Sequence, residues 1–190
     1  TDSNYALSKL DGEKNVRENF PKSVILKPSI VYSVDDNFTT NFMKLLSILP
    51  IMPLYYGGKT KFTPIHVSDF SNIIYEIVQK KITGETLECI GPEVFTFKEI
   101  LLKILKSINK KRILFPLPFF LAKLNAKIFQ LMPKPLLTMD QLKLLKYDNI
   151  VSKIYKTNYD FNMNANKRFE EEINRYSFNW TSGGQFSKKR

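Results

Sequence analysis

The chain opens with a helical pattern, Asn4-Tyr5-Ala6-Leu7-Ser8-Lys9-Leu10-Asp11-Gly12-Glu13, followed by an apolar stretch, Ser23-Val24-Ile25-Leu26-Lys27-Pro28-Ser29-Ile30-Val31-Tyr32. The spacing of four residues predicts that Tyr5 and Lys9 lie on one face of the helix, one turn apart. An ammonium group beside a phenol favours the phenolate, and such a pair can move a proton to or from a substrate oxygen. The same spacing is also typical of a tyrosine packed on the core side of an ordinary amphipathic helix, so both interpretations stand at this point.

The apolar stretch predicts a buried strand over 23–32, of the kind found in parallel sheets. Gly12, one turn past Lys9, indicates a place where the helix can approach another backbone closely. Further along, the patterns predict helices over 38–49, 69–79, 97–109 and 165–176 and strands over 62–67, 86–90 and 112–115. Asp69 and the capping box Thr96-Phe97-Lys98-Glu99 are expected to begin two of these helices. The alternation favours a mixed α/β fold.

A tyrosine-lysine helix, a short loop and a strand ending in Pro28-Ser29-Ile30-Val31 resemble the active-site half of an extended, epimerase-like short-chain dehydrogenase/reductase. Four later stretches narrow the resemblance to the atypical branch that contains the Rossmann-type accessory subunit of respiratory complex I: Phe62-Thr63-Pro64-Ile65-His66-Val67-Ser68-Asp69, Gly91-Pro92-Glu93-Val94-Phe95-Thr96-Phe97-Lys98-Glu99, Pro116-Leu117-Pro118-Phe119 and Leu137-Thr138-Met139-Asp140-Gln141. The resemblance runs from Asp2 to about Asn149, and the final Gly183-Gly184-Gln185-Phe186 also fits. It implies the C-terminal part of a Rossmann-type parallel sheet with a small, mostly helical C-terminal subdomain.

The resemblance also implies the roles of particular residues. Tyr5 would be the general acid/base, and Lys9 would lower the pKa of a tyrosine in that role and bind the nicotinamide ribose. Residues 28–31, namely Pro28, Ser29, Ile30 and Val31, would face the nicotinamide of NADP or NAD. Lys27 stands where the family usually has arginine, and Ser33 where it often has glycine. At these two positions the sequence differs from the usual active site of the epimerases.

The glycine-rich turn of a Rossmann site is missing from this sequence: neither Gly-x-x-Gly-x-x-Gly nor Gly-x-Gly-x-x-Gly occurs. In the resembled family this turn precedes the tyrosine, and the cofactor pyrophosphate rests on it. We therefore expect the chain to be a C-terminal fragment of a longer protein. The serine that completes the catalytic set in such enzymes would also lie upstream, because Ser3 and Ser8 are too close to Tyr5.

Three segments are expected: 1–112 as the C-terminal half of the cofactor-binding domain, 113–176 as a helical substrate or partner subdomain, and 177–190 as a mobile tail.

The composition of the chain is that of a globular protein, with 43% hydrophobic and 25% charged residues. The single cysteine, Cys89, excludes an internal disulfide and a cysteine metal cluster. The single histidine, His66, leaves little material for a metal site, and it is interpreted as structural.

Positive charge is concentrated in one part of the chain. Between Lys98 and Lys156 there are 13 Lys and Arg residues against three acidic ones, so this segment holds nearly all of the net charge of +11. Such a segment attracts anionic lipid, an acidic protein face, nucleic acid or a phosphate-bearing ligand, although a solvated lysine surface has the same composition. A predicted amphipathic helix over 118–131 lies within it, and it could rest on a membrane surface or form the core of the subdomain.

Two classes of function follow from the resemblance. The first is an accessory or assembly subunit of NADH:ubiquinone oxidoreductase that holds a nicotinamide dinucleotide mainly for structure. Its partners would be complex I subunits or another membrane-bound assembly, with an anionic membrane surface nearby. It would sit on the matrix side of the mitochondrial inner membrane or, in a bacterium, on the cytoplasmic side. The second is an oxidoreductase or epimerase acting on a nucleotide-linked sugar. Nucleic-acid binding is not expected, since the basic segment lacks a recognised binding module.

Overall fold

The computed structural model describes residues 3–117 and 143–184 and has a mixed α/β architecture. The helices in these ranges are α1 (Asn4–Asn19), α2 (Thr39–Ile48), α3 (Val67–Gln79), α4 (Phe97–Ser107) and α5 (Phe169–Tyr176). The strands are β1 (Ile25–Pro28), β2 (Val31–Tyr32), β3 (Ile51–Tyr55), β4 (Lys61–Phe62), β5 (Ile65–His66), β6 (Thr86–Cys89), β7 (Phe95–Thr96), β8 (Ile113–Leu117) and β9 (Lys156–Thr157). The predicted fold class is confirmed by this parallel α/β arrangement.

The main sheet has three parallel strands in the order β1-β6-β9. Leu26 pairs with Leu87, and these two side chains pack with α3 in the smaller of two hydrophobic cores. Their neighbours Lys27 and Glu88 also pair, and they point to the opposite face because side chains alternate along a strand. Helix α1 lies on the side of that second face, where its Glu13 binds Lys27, although no residue of α1 is buried.

The larger core lies between three helices and the small strand pairs. It contains Met43 and Leu46 from α2, Ile100 and Ile104 from α4, and Ile173 from α5. The strand pairs β2-β5 and β3-β8 are parallel, whereas β4-β7 is antiparallel. Because α5 comes from the C-terminal part of the chain, this part helps to build the main body.

The predicted strand over 23–32 is two strands in the structure. Ser29 separates them: its N–H still donates to Cys89 of β6, whereas Ile30 accepts from Ile65, so the chain changes partner within two residues. The last helix begins at Phe169 rather than Ala165. Among the described residues nothing lies within 4 Å of a Cβ placed at Gly12, so the predicted close approach is not found there.

The division into three segments stays a prediction. The predicted helix over 118–131 and the motif Thr138-Met139-Asp140-Gln141 fall outside the described residues. Within 143–184, β9 joins the main sheet, the buried Ser177 donates a hydrogen bond to the backbone of α4, and Trp180 packs on the larger core. None of the helices in the two described ranges combines the length and hydropathy needed to cross a bilayer.

Candidate functional site

The predicted proton-transfer pair, Tyr5 and Lys9, lies at the exposed start of α1. Ser3 begins this helix by accepting a hydrogen bond from the Ala6 N–H. The ammonium of Lys9 lies 5.6 Å from the ring centroid of Tyr5, so the two side chains lie together on one face as the spacing predicts. Tyr5 is 57% exposed and belongs to neither of the two hydrophobic cores of the described residues.

Contacts along α1 fix its direction over the sheet. Near its C-terminal end, Arg17 donates to the backbone of Ser23 and Glu85, at the beginnings of β1 and β6. Two residues into β1, the Lys27 ammonium binds the Glu13 carboxylate at 2.7 Å. The helix therefore runs antiparallel to β1, and its N-terminus points towards the carboxyl end of that strand.

This direction places the predicted catalytic and cofactor residues at one edge of the sheet. Tyr5 lies two turns before Glu13, or about 12 Å further along the helix, since an α-helix rises 1.5 Å per residue. Ser29 follows the last residue of β1, at that strand's carboxyl end. In open α/β sheets, ligands bind outside the carboxyl ends of the strands. By this direction, Tyr5 and Lys9 lie towards the carboxyl end of β1, the same end at which residues 28–31 lie.

Ser29 is the most constrained of the predicted cofactor residues. It is buried, and its hydroxyl donates to the Asn149 carbonyl at 3.1 Å and accepts from the Thr63 N–H at 3.2 Å. Pro28 is exposed, whereas Ile30 and Val31 are half-buried. The hydroxyl of Ser29 therefore holds two loops together at the carboxyl edge, and the surface available to a ligand there comes from its neighbours.

Lys27, which replaces the usual arginine of the resembled family, is part of the contact between α1 and the sheet. Its ammonium lies 4.5 Å from the ring centroid of Tyr155 as well as close to Glu13. Partial burial alone would lower the pKa of Lys27, but the Glu13 carboxylate raises it on balance. A lysine thus stays charged at this position and holds α1 in place.

His66 belongs to a polar cluster that sequence reasoning missed. Its Nδ1 accepts from the Ser68 N–H at 3.3 Å, and this contact begins α3, so His66 rather than Asp69 caps the helix. Its Nε2 lies 4.0 Å from a carboxylate oxygen of the buried Glu172. Burial lowers the pKa of His66, and Glu172 opposes this shift only partly, because Lys167 and Arg175 also bind that carboxylate.

The composition of the cluster supports the structural interpretation of His66. The predicted cap, Asp69, instead accepts the backbone N–H groups of Asn166 and Lys167 from the C-terminal part of the chain. The side chain of Cys89 is fully buried, which raises the pKa of its thiol to about 12. In the sequence, only the pattern His66-x-Ser68 at the start of α3 indicates that His66 caps the helix. No sequence pattern links His66 to Glu172, which lies 106 residues later.

An open cleft of about 410 Å³ lies elsewhere, at the amino end of β9. Its lining consists of Lys153, Ile154, Tyr155, Lys156, Asp160 and Phe161. None of these is a predicted site residue. Across residues 3–117 and 143–184, no group of three or more His, Cys, Asp or Glu side chains is arranged to hold a metal ion.

Curated relatives of the chain include respiratory subunits and also a ceramide reductase of Caulobacter vibrioides, which is 28% identical over 100 residues, or 52% of this chain and 31% of the relative. The chain is 28% identical over 146 residues to mouse NADH dehydrogenase (ubiquinone) 1 alpha subcomplex subunit 9, a match that covers 76% of this chain and 39% of the relative. The same subunit of Dictyostelium discoideum is 34% identical over 100 residues, which is 52% of this chain and 28% of the relative. The chain thus spans about two fifths or less of the relatives it matches. No family model matches it.

Solved structures with the same fold include enzymes in complex with NAD or NADP. The dTDP-glucose 4,6-dehydratase of Bacillus anthracis, in complex with NAD, superposes with a TM-score of 0.63 at 15% identity, over 94% of this chain and 52% of that one. The UDP-glucose 4-epimerase of Thermus thermophilus, also with NAD, gives 0.59 at 13% identity, over 90% and 50% of the two chains. The chain is therefore a homologue of the alpha subcomplex subunit 9 proteins, with the Rossmann-type fold of the epimerases, dehydratases and reductases.

Proposed function

We propose that this chain is part of an accessory or assembly subunit of respiratory NADH:ubiquinone oxidoreductase that holds a nicotinamide dinucleotide. Five relatives, from a mouse, a rat, a plant, a slime mould and a fungus, carry names of that enzyme's subunits. Because the chain covers only part of each of these relatives, the role of the whole protein is itself a proposal. The partners would be complex I subunits, on the matrix side of the inner membrane or on the cytoplasmic side in a bacterium.

The geometry of the carboxyl edge is the observation that carries the cofactor part of the proposal. Helix α1 runs antiparallel to β1 and brings Tyr5 and Lys9 to the edge where residues 28–31 lie. The ammonium of Lys9 suits a ribose hydroxyl, and the half-buried Ile30 and Val31 suit the apolar face of a nicotinamide ring. NADP and NAD are both compatible with these residues, and dehydratase and reductase structures of this fold were solved with one or the other.

Native electrophoresis tests the assembly role. The full-length protein, tagged and expressed in its source cell, should co-migrate with complex I after mild detergent extraction, and its depletion should lower the amount of assembled complex. A Tyr5→Phe variant should assemble like wild type, because a structural role needs the ring and not the phenolic hydroxyl. Migration of the protein by itself, with complex I unaffected by its depletion, would remove this proposal.

The pairing of Tyr5 with Lys9 favours a second candidate, an oxidoreductase or epimerase acting on a nucleotide-linked sugar. Tyr5 is exposed and has an ammonium group beside its ring, as a proton donor in an open site requires. If the full-length protein turns over such a substrate, Tyr5→Phe should reduce kcat by about 10²–10⁴-fold, the usual contribution of a positioned acid or base, with little change in cofactor affinity. The matched control is Tyr75→Phe, which changes an exposed tyrosine on α3. Equal turnover by the two variants would remove Tyr5 from the mechanism.

A further inference from the structure

The strand pair β3-β8 carries an exposed apolar surface. Ile51 pairs with Ile113 and Pro53 with Phe115, and paired residues share a face of the sheet. Ile51, Ile113 and Phe115 are 53%, 63% and 51% exposed, whereas the alternating Met52 and Leu54 are buried in the larger core. The outer face of this strand pair is therefore aliphatic and aromatic and open to solvent.

The end of α2 extends this surface. The Arg112 guanidinium, just before β8, donates to the carbonyls of Leu46 and Ser47 and so holds the end of α2 against the beginning of the strand. Ile48, which follows, is 69% exposed. The four exposed side chains Ile48, Ile51, Ile113 and Phe115 are called the apolar ledge below. A contiguous exposed apolar surface on a folded domain commonly marks a site of interaction.

Positive charge surrounds the apolar ledge, and acidic residues are absent from both segments that form it. Residues 37–68 contain three lysines and residues 100–117 contain five Lys and Arg, and neither range has an Asp or Glu. Lys44 precedes Ile48 by one helical turn, so both lie on the same side of α2. Lys111 lies two residues before β8, and Lys59 follows the turn after β3. All three lysines are exposed.

We propose that the apolar ledge rests on an anionic lipid surface, with Ile48, Ile51, Ile113 and Phe115 entering the headgroup region and the flanking lysines meeting the phosphates. Protein-protein interfaces are depleted in lysine and enriched in Tyr, Trp, Phe, Met and Arg, so the lysines rather than Phe115 distinguish this surface from such an interface. Lysine beside aliphatic and Phe side chains is typical of membrane-surface segments. The exposed charge here is lysine and the one arginine is turned inward, so a lipid surface fits better than an acidic protein face. The inference concerns how the proposed subunit meets the membrane, and lipid binding is measurable without complex I.

Co-sedimentation with vesicles tests this contact. The full-length protein should pellet with phosphatidylcholine vesicles that contain phosphatidylserine, and binding should fall as salt rises because the lysine contribution is screened. Ile113→Ser/Phe115→Ser should weaken binding about tenfold or more, since two bulky apolar side chains no longer enter the lipid. The matched control is Phe20→Ser/Ile154→Ser, which changes two apolar residues that are more exposed than Ile113 and Phe115 and belong to other segments. Lys44→Glu/Lys111→Glu should also weaken binding, whereas Lys22→Glu/Lys81→Glu should change it less.

Each other outcome contradicts the lipid contact. Equal binding by the ledge variant and its control would show that the ledge does not touch lipid. If wild type fails to pellet but the ledge variant no longer joins complex I, the ledge is a protein contact, and the proposed assembly role survives without the lipid inference. If the ledge variant melts several degrees below its control and binds vesicles normally, the protein's own chain covers the ledge.

Discussion

At Gly91 the loop after β6 passes the loop before β5 so closely that no side chain fits. The Gly91 N–H donates to the Thr63 carbonyl at 3.2 Å, and a Cβ at this position would lie 1.8 Å from the Pro64 carbonyl oxygen. We expect Gly91→Ala to lower the free energy of unfolding by about 2–4 kcal/mol, because one of the two loops must move. Urea unfolding followed by circular dichroism measures this.

Gly12→Ala is the matched control for that substitution. Gly12 lies inside α1, where an added methyl meets nothing within 4 Å. Replacing glycine by alanine in an exposed helix interior should stabilise the helix by up to about 1 kcal/mol. Opposite signs for the two Gly→Ala changes are the expected result, and a neutral Gly91→Ala would show that the two loops separate easily.

Ser29 offers a second test, at the edge of the candidate site. Ser29→Ala removes the hydroxyl that joins the Thr63 N–H to the Asn149 carbonyl, and it leaves the buried Thr63 N–H without that acceptor. We expect a loss of about 1–3 kcal/mol in the free energy of unfolding, the cost of an unsatisfied buried polar group. Ser71→Ala, at an exposed position of α3, should change it by less than about 0.5 kcal/mol. Equal free energies of unfolding for Ser29→Ala and Ser71→Ala would mean that another group replaces the contacts of the Ser29 hydroxyl.

At the scale of single elements, the sequence predicted best where the signal is local. The capping box of Thr96 and Glu99 forms as expected: the Thr96 N–H donates to Glu99 at 2.7 Å, and the Glu99 N–H donates to the Thr96 hydroxyl at 3.2 Å. The cap of α3 was predicted wrongly, because the carboxylate of Asp69 binds a segment almost 100 residues away. That competing interaction has no local signature, so a pattern search over a few residues could not find it.

The break between β1 and β2 has a similar cause. The residues from Ser23 to Tyr32 are uniformly apolar enough for one strand, and the local pattern contains no turn. The break occurs because Ser29 is bonded to two loops, at Thr63 and Asn149, that come from distant parts of the chain. The Tyr5–Lys9 pair, in contrast, depends only on helical spacing. The common helix face of the two side chains was therefore predictable from the sequence.

Helices α4 and α5 are joined by an ion-pair cluster whose contribution depends on pH. The Glu170 carboxylate accepts from the ammonium groups of Lys106 and Lys103, and these bonds lower its pKa from 4.5 to about 2. Because the folded-state pKa is the lower one, the stabilisation is fully present above pH 4.5 and is lost as the pH falls towards 2. Since the side chain is about one-third exposed, solvent screening limits the contribution to about 1 kcal/mol.

Glu170→Gln should therefore destabilise the protein by about 1 kcal/mol at neutral pH, and the difference from wild type should shrink as the pH falls below about 4.5. Thermal unfolding of both proteins across this range measures the effect, and added salt should reduce it. Glu171→Gln is the matched control, since Glu171 is the exposed neighbour on the same helix. A difference that stays constant with pH would mean that Glu170 acts through packing instead of charge.

For the molecule as a whole, the parallel α/β class was predictable because alternating strands and capped helices allow few other arrangements. The contribution of the C-terminal part to the main body was not, because strand β9 has only two residues and pairs through its backbone. The expected docking of the basic segment stays a prediction. Reversing Lys123, Lys127 and Lys134 to Glu should release the protein into the soluble fraction of gently broken cells, but these positions lie outside the described residues.

The last prediction concerns what these 190 residues can bind by themselves. In the proposed function, Tyr5, Lys9 and residues 28–31 would form the nicotinamide end of a dinucleotide site. The pyrophosphate is normally held by backbone N–H groups of a glycine-rich turn and by the helix N-terminus after it, and the sequence contains no such turn.

We therefore expect the 190-residue chain to bind NADPH or NADH very weakly, whereas the full-length protein should bind one of them tightly. Fluorescence titration of both proteins compares them directly, with circular dichroism showing that the shorter chain keeps its helices. A Lys9→Met variant of the full-length protein should lose affinity, because the ribose contact is removed while the length of the side chain is kept. Micromolar or tighter binding by the 190-residue chain would mean that the pyrophosphate is held by residues other than a glycine-rich turn.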